Sequence, residues 1–385
     1  MSEWEKVLLG DICSAVTSGG TPLTSVSSYY FPQQIPWLKT AEVNYCRIYD
    51  TESYISKEGL EHSSAKLIPV NSVIVAMYGQ GDTAGRVAIN KIPLATNQAC
   101  CNLLINPEKA DYEYVYYALS TLYDKLVSLK NGGAQPNLSA RAIKAIEIPL
   151  PGLRIQKRIA DILSAYDNLI ENNQKQIRLL EEAARRLYKE WFVDFRFPGH
   201  ESVTITDGVP LGWSKRAVGT ILKQIPRTKQ IKTSDYLSSG KIPVIDQSRE
   251  FIAGYTDDVE ALVDYGIPVI VFGDHTRILK YIQFPFAKGA DGTQLLVSSE
   301  EAMPQPLLYC SLVHIDLSNY HYARHFKYLK AEEILIPDKQ ISIMFTKTVE
   351  PLFLRIQCAR DIIIKAQEAR DRLLPELMSG QYAIV

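Results

Sequence analysis

The sequence predicts an α+β protein in which two similar domains alternate with two long helices. Three observations carry this: segments paired at a slowly shrinking offset, short β-rich runs bounded by turn residues, and a long Gly- and Pro-free stretch with helical apolar spacing. Trp4, Lys6, Gly10 and Ile12 match Trp213, Lys215, Gly219 and Ile221, each pair 209 apart. Ile35-Pro36 matches Ile242-Pro243, and Tyr78-Gly79 resembles Phe272-Gly273. Ile146, Ile148 and Pro149 match Ile334, Ile336 and Pro337, and Arg186, Leu187 and Glu190 match Arg372, Leu373 and Glu376 at 186. An offset that only falls is expected of two copies of one unit, the second with shorter loops. The unit is far longer than the roughly 20–50 residues of a solenoid repeat.

Taken in order, the expected organisation is a first domain over 1–151, a central helix over 152–195, a second domain over 196–337 and a C-terminal helix over 338–385. In the first domain Ser72-Val73-Ile74-Val75-Ala76-Met77 reads as a strand, entered after Pro69 and left at Gly79. Val87–Ile89 and Cys101–Ile105 read as others, and Tyr112–Leu129 has helical spacing up to Gly132-Gly133. The second domain repeats the scheme with Pro268–Phe272, Leu295–Val297 and a helix from Pro306 to Leu312.

Residues 155–192 contain no Pro or Gly. Ile155, Ile159, Ile162, Tyr166 and Leu169 recur at four and three, the seam of a coiled coil. Asn173, Ile177, Leu180, Ala184, Leu187 and Trp191 continue it after a stutter. Asn173 either sets the register as a buried polar residue or lies exposed at the stutter. The second helix repeats the pattern through Phe345, Val349, Leu352, Ile356, Ala359, Ile363, Ala366, Leu373 and Leu377, with a kink or late start expected at Pro351 and Pro375. A helix with one apolar stripe needs a partner; the other helix is the obvious one, its own domain the alternative.

With 42 basic and 43 acidic residues the chain has a net charge of −1, which argues against a free-standing non-specific nucleic-acid binder. No apolar run approaches the roughly 20 residues of a membrane span, and MSEWEKVLLG lacks the pattern of a signal peptide. Cys13, Cys46, Cys100, Cys101, Cys310 and Cys358 form no CxxC pair and read as buried, reduced thiols of a cytoplasmic protein. No methyltransferase tetrapeptide or P-loop is present: Asn106-Pro107-Glu108 is no substitute, and Gly240-Lys241 is followed by Ile242. Pro337-Asp338 reads as a boundary turn, and His275, His314, His321 and His325 have no metal-ligand spacing. The expectation is a chain with no catalytic residues, no metal and no cofactor.

The stretch QKRIADILSAYDNLIENNQKQIRLLEEAARRLYKEWF, Gln156–Phe192, resembles the central conserved region of Type I restriction-modification specificity subunits, and RDRLLPELMSG, Arg370–Gly380, resembles their C-terminal conserved region. Gly133-Ala134-Gln135-Pro136-Asn137-Leu138 resembles the Gly/Gln/Asn-Leu turn of such domains. Tyr322-Ala323-Arg324-His325-Phe326-Lys327 resembles their Tyr-x-Arg-His-Phe-Lys run, and Tyr78–Val87 is a looser match to a Gly-Thr-Gly-Lys segment.

The resemblance implies a DNA-sequence reader without chemistry of its own. Two target-recognition domains would each read one half of a split, asymmetric site in double-stranded DNA. The two helices would pair as an antiparallel coiled coil with a pseudo-two-fold internal repeat, bringing Gly380 near Trp4 as Phe192 comes near Trp213. They would fix the spacing and dock two methyltransferase subunits, joined by two restriction subunits; methyl donor and ATP would belong to those partners. A stand-alone DNA-binding regulator of similar architecture is the other class left open.

Base reading in the major groove favours Arg or Lys on guanine and Asn or Gln on adenine. The DNA-contacting candidates are therefore Gln80, Asp82, Thr83, Arg86, Asn97, Gln98, Gln135 and Asn137 in the first domain. In the second they are Asp274, His275, Thr276, Arg277, Thr293, Gln294, Arg324 and Lys327. Each is equally open to being a turn or solvated loop residue, and His325 to touching phosphate or capping an element. Trp191, Phe192, Leu377 and Met378, at the family-like helix ends, are the partner-docking candidates.

Overall fold

The structure, a computed structural model, describes residues 4–130, 137–320 and 324–380. It divides into two units, Met1–Glu171 with Ile364–Val385, and Asn172–Ile363. The first holds strands β1 (Lys6–Leu8), β2 (Cys13–Ser18), β3 (Ile35–Leu38), β4 (Cys46–Ile48), β5 (Tyr54–Ile55), β6 (Leu67–Ile68), β7 (Val73–Ala76), β8 (Val87–Asn90), β9 (Leu94–Thr96), β10 (Cys100–Ile105) and β11 (Glu147–Pro149). Its helices are α1 (Lys57–Glu61), α2 (Tyr112–Ser120), α3 (Tyr123–Ser128), α4 (Ala140–Lys144) and the first part of α5 (Leu153–Tyr188). One sheet has the order β2-β10-β7-β8-β4, a second β5-β3-β9-β6, and β1 pairs with β11.

The alternation within β7 explains the layering. Val73 and Val75 enter a core with Tyr114, Val115 and Leu119 of α2, whereas Ile74 and Ala76 enter another with Leu38, Val43 and Leu94. Side chains of a strand point alternately to opposite faces, so a strand apolar at every position is one covered on both sides. The chain closes where β1 meets β11: Gly10 lies so near α4 that a Cβ there would stand 3.2 Å from Lys144 Cβ.

The second unit holds the rest of α5 and strands β12 (Ile205–Thr206), β13 (Val209–Pro210), β14 (Ser214–Ala217), β15 (Ile242–Ile245), β16 (Gly254–Thr256), β17 (Leu262–Val263), β18 (Val269–Gly273), β19 (Leu279–Ile282), β20 (Phe286–Lys288) and β21 (Thr293–Leu296). α6 (Gln305–His314), α7 (Phe326–Ala331), β22 (Glu333–Ile336) and most of α8 (Lys339–Met378) follow. Its sheets run β19-β18-β21 and β16-β15-β20-β17, and β14 pairs with β22. β18 alternates as β7 does: Ile270 and Phe272 face one core, Val269 and Val271 another. Gly219 lies against Lys330, its Cβ position 3.1 Å from Lys330 Cβ.

The helices depart from expectation in two respects. α8 runs unbroken for 40 residues through Pro351 and Pro375. Both prolines are exposed, so the carbonyls they leave without an N–H partner face the solvent side. On α5 the buried face includes Leu163 and Ile170, while Leu169, expected on the seam, is 43% exposed. The reason is that α5 meets its own domain as well as α8: Gln156 Oε1 accepts the Asp111 N–H at 2.8 Å and Asp167 accepts the Tyr117 hydroxyl at 2.5 Å. Asn173 is buried, which disposes of an exposed stutter residue.

In the first unit Arg370 of α8 donates to Asp167 of α5 at 2.7 Å; in the second Arg360 donates to Glu181 at 3.1 Å. A single π-turn, Lys189–Val193, ends α5 and turns both Trp191 and Phe192 inward. Asp338 caps α8, accepting the N–H groups of Gln340 and Ile341 at 2.9 and 3.0 Å, so Pro337-Asp338 is a helix start. Burial pushes the Cys13 thiol up to about 11 and Cys310 up to about 12. Cys358 departs from the buried-thiol expectation and is exposed on α8. Among the described residues no helix is long and apolar enough to cross a membrane.

Candidate nucleic-acid interface

Gln80, Asp82, Thr83 and Arg86 share the loop between β7 and β8. The Gln80 carbonyl accepts the Thr83 hydroxyl at 2.7 Å, folding the loop back on itself. Arg86 pairs with Asp82 at 2.5 Å and donates to Asn44 Oδ1 at 2.8 Å. That guanidinium holds the exposed Asp82 carboxyl below its ordinary range. The Gln80 amide stays exposed at the tip.

Asn97 and Gln98 form the turn between β9 and β10. Asn97 Oδ1 accepts the Ala99 N–H at 3.2 Å, and Gln98 Oε1 accepts the Thr21 hydroxyl. Asn137 is exposed ahead of α4, and the next residue, Leu138, donates its N–H to the Met77 carbonyl at 2.9 Å. The sheet thus brings three segments, far apart in sequence, to one end of β7. Gln135 lies outside the described residues.

In the second unit Asp274 is 4% exposed and serves the fold: its Oδ1 accepts the Phe326 N–H and its carbonyl the His325 N–H, both at 2.8 Å. It therefore fixes the start of α7, with His325 buried at the cap position. Thr293 is also buried, donating to the Ala290 carbonyl at 2.9 Å. His275, Thr276 and Arg277 stand exposed on the turn between β18 and β19, where Arg277 adopts φ 62° and donates to the Leu317 carbonyl at 2.9 Å. Arg324 and Lys327 are exposed at the start of α7, and Gln294 is half-buried on β21.

Sequence reasoning missed Gln247, which braces this loop cluster. Its Nε2 donates to the Asp291 carbonyl at 2.8 Å, its Oε1 accepts the His275 N–H at 3.0 Å, and its carbonyl accepts the Thr276 hydroxyl at 2.7 Å. Nothing in its sequence context marks it, because its partners sit on two turns distant in sequence, one after β18 and one before β21. Lys280 was also missed. It is buried, with Nζ bonded to the Glu250 carbonyl and 3.9 Å from Asp246; burial pushes it down to about 8 against the pull of the two carboxylates.

The docking candidates sit inside the cores. Trp191 and Phe192 pack in the second unit with Phe345, ring centroids 5.6 and 4.9 Å away, and Leu377 and Met378 pack in the first with Ile159 and Leu163. Gly380 ends α8 at φ 70°, and a Cβ there would meet the Trp4 ring at 3.0 Å; Phe192 lies 5.5 Å from Trp213 between ring centroids. Among the described residues no three His, Cys, Asp or Glu side chains gather as a metal site.

The exposed members of these loops offer hydrogen-bonding and cationic side chains, a set suited to contacting nucleic acid. Comparison with known proteins agrees with such a role. Residues 1–182 match the family described as the Type I restriction modification DNA specificity domain. The chain is 29% identical to the Type I restriction enzyme MjaIX specificity subunit of Methanocaldococcus jannaschii, over 99% of this chain and 94% of that protein. It is 28% identical to the EcoR124I/EcoR124II specificity subunit of Escherichia coli, over 52% of this chain and 50% of that one. The crystal structure of a Type I system S subunit from M. genitalium shares the fold, with a TM-score of 0.63 at 17% identity over 97% of this chain and 96% of that.

Proposed function

From a chain that belongs to the Type I restriction-modification specificity family, we propose a non-catalytic subunit that reads a bipartite, asymmetric DNA site for its complex. Residues 1–151 and 196–337 are the two target-recognition domains, and the helices of 152–195 and 338–385 are the spacer between them. The helices pair antiparallel, relate the two readers by a pseudo-two-fold repeat, and dock two methyltransferase subunits. Two restriction subunits join that complex, which works in the cytoplasm. Methyl donor and ATP are bound by the partners.

One observation carries the reading: Trp4 meets the end of α8 at Gly380, and its counterpart Trp213 meets the end of α5 at Phe192. Each domain starts against the end of a helix, as two head-to-tail copies require. The Arg370–Asp167 and Arg360–Glu181 pairs favour antiparallel helices, since α8 residues descend as α5 residues ascend. Exposed apolar side chains such as Leu179 and Leu354 leave a helix face for a partner. The buried aromatic and apolar docking candidates act by holding the helix ends in place. The exposed members of the two loop clusters read bases, with Asp274 and Thr293 shaping their loops.

At about 1.5 Å per residue, helices of 36 and 40 residues are long enough to hold readers about one DNA turn, roughly 34–36 Å, apart. The test is to exchange residues 1–150 for the matching segment of a relative and map methylated motifs. One half-site changes and the other stays. Joint alteration of both halves refutes two independent readers.

A further inference from the structure

Among the described residues no strand runs along the outer edge of β21, whereas the matching edge in the first unit is covered. There β2 runs along β10 from Cys101↔Ser18 to Ile105↔Cys13. Gly19-Gly20 then closes over β9, the Gly20 N–H donating to the Thr96 carbonyl at 2.9 Å. A Cβ at Gly19 would stand 2.1 Å from that carbonyl oxygen, so only glycine lets the chain lie so close. In the second unit only Leu222 forms a bridge, to Ser298. Lys223 donates its N–H to the Val297 carbonyl at 2.8 Å, and the chain then swings away. It returns where the Ile231 N–H meets the Lys288 carbonyl at 3.0 Å. Lys288 stands beside Ile245 in a parallel pair, as Thr96 stands beside Leu38. The sequence enforces the detour: Pro226 has no N–H for a ladder, and Lys223 to Gln230 lacks the Gly-Gly pair that closes the first unit.

What the detour leaves is a cleft of about 520 Å³, with Lys223, Ile225, Arg227, Lys288, Gln294 and Phe326 in its wall and no carboxylate among its lining residues. Lys229, on the same segment, is neutralised by Asp258 and Glu260 at 2.7 and 3.0 Å. Lys223, Arg227 and Lys288 form no ion pair among the described residues. Burial lowers the Lys288 ammonium, opposed by Asp291, so an anion in the cleft would favour its charged form. In a chain whose total charge is −1, three cations outside any ion pair around one hollow are a local feature and not an overflow of composition. The volume suits one or two sugar–phosphate units and is far larger than a bound water needs.

We propose that this cleft grips the sugar–phosphate backbone of one DNA strand beside the half-site that the second unit reads. The proposal rests on the DNA-reading function above and adds to it an anchor that the first unit lacks. Phosphate oxygens take the three cations, and the C–H face of deoxyribose lies against Ile225. Such contacts fix position and carry no sequence information.

The test uses the full chain as purified, its Lys223→Gln/Arg227→Gln double variant, and Arg227→Lys. Both parent side chains are exposed, so the variants fold, with matching circular-dichroism melts as the check. Binding of a duplex carrying the mapped site and of a scrambled duplex is followed by anisotropy between about 50 and 200 mM salt. The double variant is expected to bind both duplexes about tenfold more weakly. Its plot of log affinity against log salt should be shallower by about 0.9 for each phosphate it no longer neutralises, close to 2 in all. Its preferred sequence should be unchanged, and Arg227→Lys should keep most of the slope. Wild-type affinity and slope in the double variant overturn the cleft while leaving the reader intact. If wild type shows no salt-dependent DNA binding at all, the DNA-reading function and the cleft fall together. ATP and inorganic phosphate serve as competitors: a double variant that loses their binding and keeps the wild-type DNA slope marks a site for free phosphates and overturns the DNA assignment.

Discussion

Each unit joins its share of the helices to its domain, and the two do so with different chemistry at corresponding positions. In the first unit the Tyr117 hydroxyl donates to Asp167, and Asp167 pairs with Arg370 at 2.7 Å. Arg47 of β4, its side chain 4% exposed, adds bonds to Asn168 at 2.6 Å and to Glu171 at 3.7 Å. At the 186-residue offset the second unit has Phe353 where Asp167 stands and Ala184 where Arg370 stands, and Tyr309 of α6 packs on Phe353. The Tyr309 and Phe353 rings meet edge-on at 5.5 Å, and Tyr281 lies 4.8 Å from Phe353. The hydrogen-bonded triad has become a cluster of rings with a small alanine where the arginine stood. Beside Ala184 is a hollow of about 100 Å³, lined also by Tyr309, Cys310, Val313 and Phe353. At these positions one joint uses directional, charged bonds and the other packed rings, with the Arg360–Glu181 pair at 3.1 Å beside them.

The largest effect that sharpens this comparison is expected from Phe345→Ala in the aromatic joint. Phe345 is fully buried among Tyr188, Trp191 and Phe192. Removing such a ring costs about 4 kcal/mol, read as an earlier urea midpoint for the transition that carries the second unit's tryptophan signal. A loss under about 1 kcal/mol would mean that the rings are not what holds this joint.

Next comes Arg370→Ala, which leaves Asp167 with the Tyr117 hydroxyl and the charge of nearby Arg47. Removing one member of a buried pair costs about 3 kcal/mol, less where water reaches the survivor. The double change Asp167→Phe/Arg370→Ala installs the second unit's chemistry and should recover most of the loss. A double variant as unstable as the sum of its parts would break the comparison, because the two joints would then not be alternative solutions to one packing problem.

A pH effect confined to the second unit follows from Lys280. Its folded pKa is about 8 against an ordinary 10.5. Between those values the unfolded chain holds more protons, so stability rises as pH climbs from about 8 to about 10.5. The gain is about 2 kcal/mol after allowing for partial solvent access. Lys280→Met should flatten urea midpoints across that window; an unchanged rise would assign it to other groups.

The smallest effect is Ala184→Met. A flexible side chain filling the hollow where Arg370 stands in the other joint should stabilise by about 0.5–1 kcal/mol, seen as a slightly higher melting temperature. Destabilisation would show that the hollow is too shallow to accept it.

The two joints also show what a sequence discloses. The strand β7 and both long helices were legible, because each rests on local periodicity. The choice of Leu163 and Ile170 over Leu169 was not, since a helix covered on two sides has no single seam. Continuity through Pro351 and Pro375 depended on which side of α8 meets solvent, which spacing alone does not fix. Among the loop candidates residue type could mark Gln80, His275 and Arg324 but could not separate them from Asp274 or Thr293, whose burial is created by strands brought in from elsewhere. Lys223, Arg227 and Lys288 lie up to 65 residues apart and meet only because β20 and β21 lie beside the detour.

The Asp167–Arg370 pair also bears on how a helix distinguishes its proper partner from a copy of itself. The position on α5 that corresponds to Arg370 is Ala184, and the position on α8 that corresponds to Asp167 is Phe353. Two α5 helices laid antiparallel would set Asp167 opposite Ala184 twice over, with two carboxylates that lose their Arg370 partner. Two α8 helices would bury Arg370 against Phe353 with equal discomfort. Only the mixed pair sets Arg370 against Asp167, and leaving one member of such a pair without the other costs about 3 kcal/mol. A polar group inside an otherwise oily seam is a known means of fixing partner and register in helix pairs.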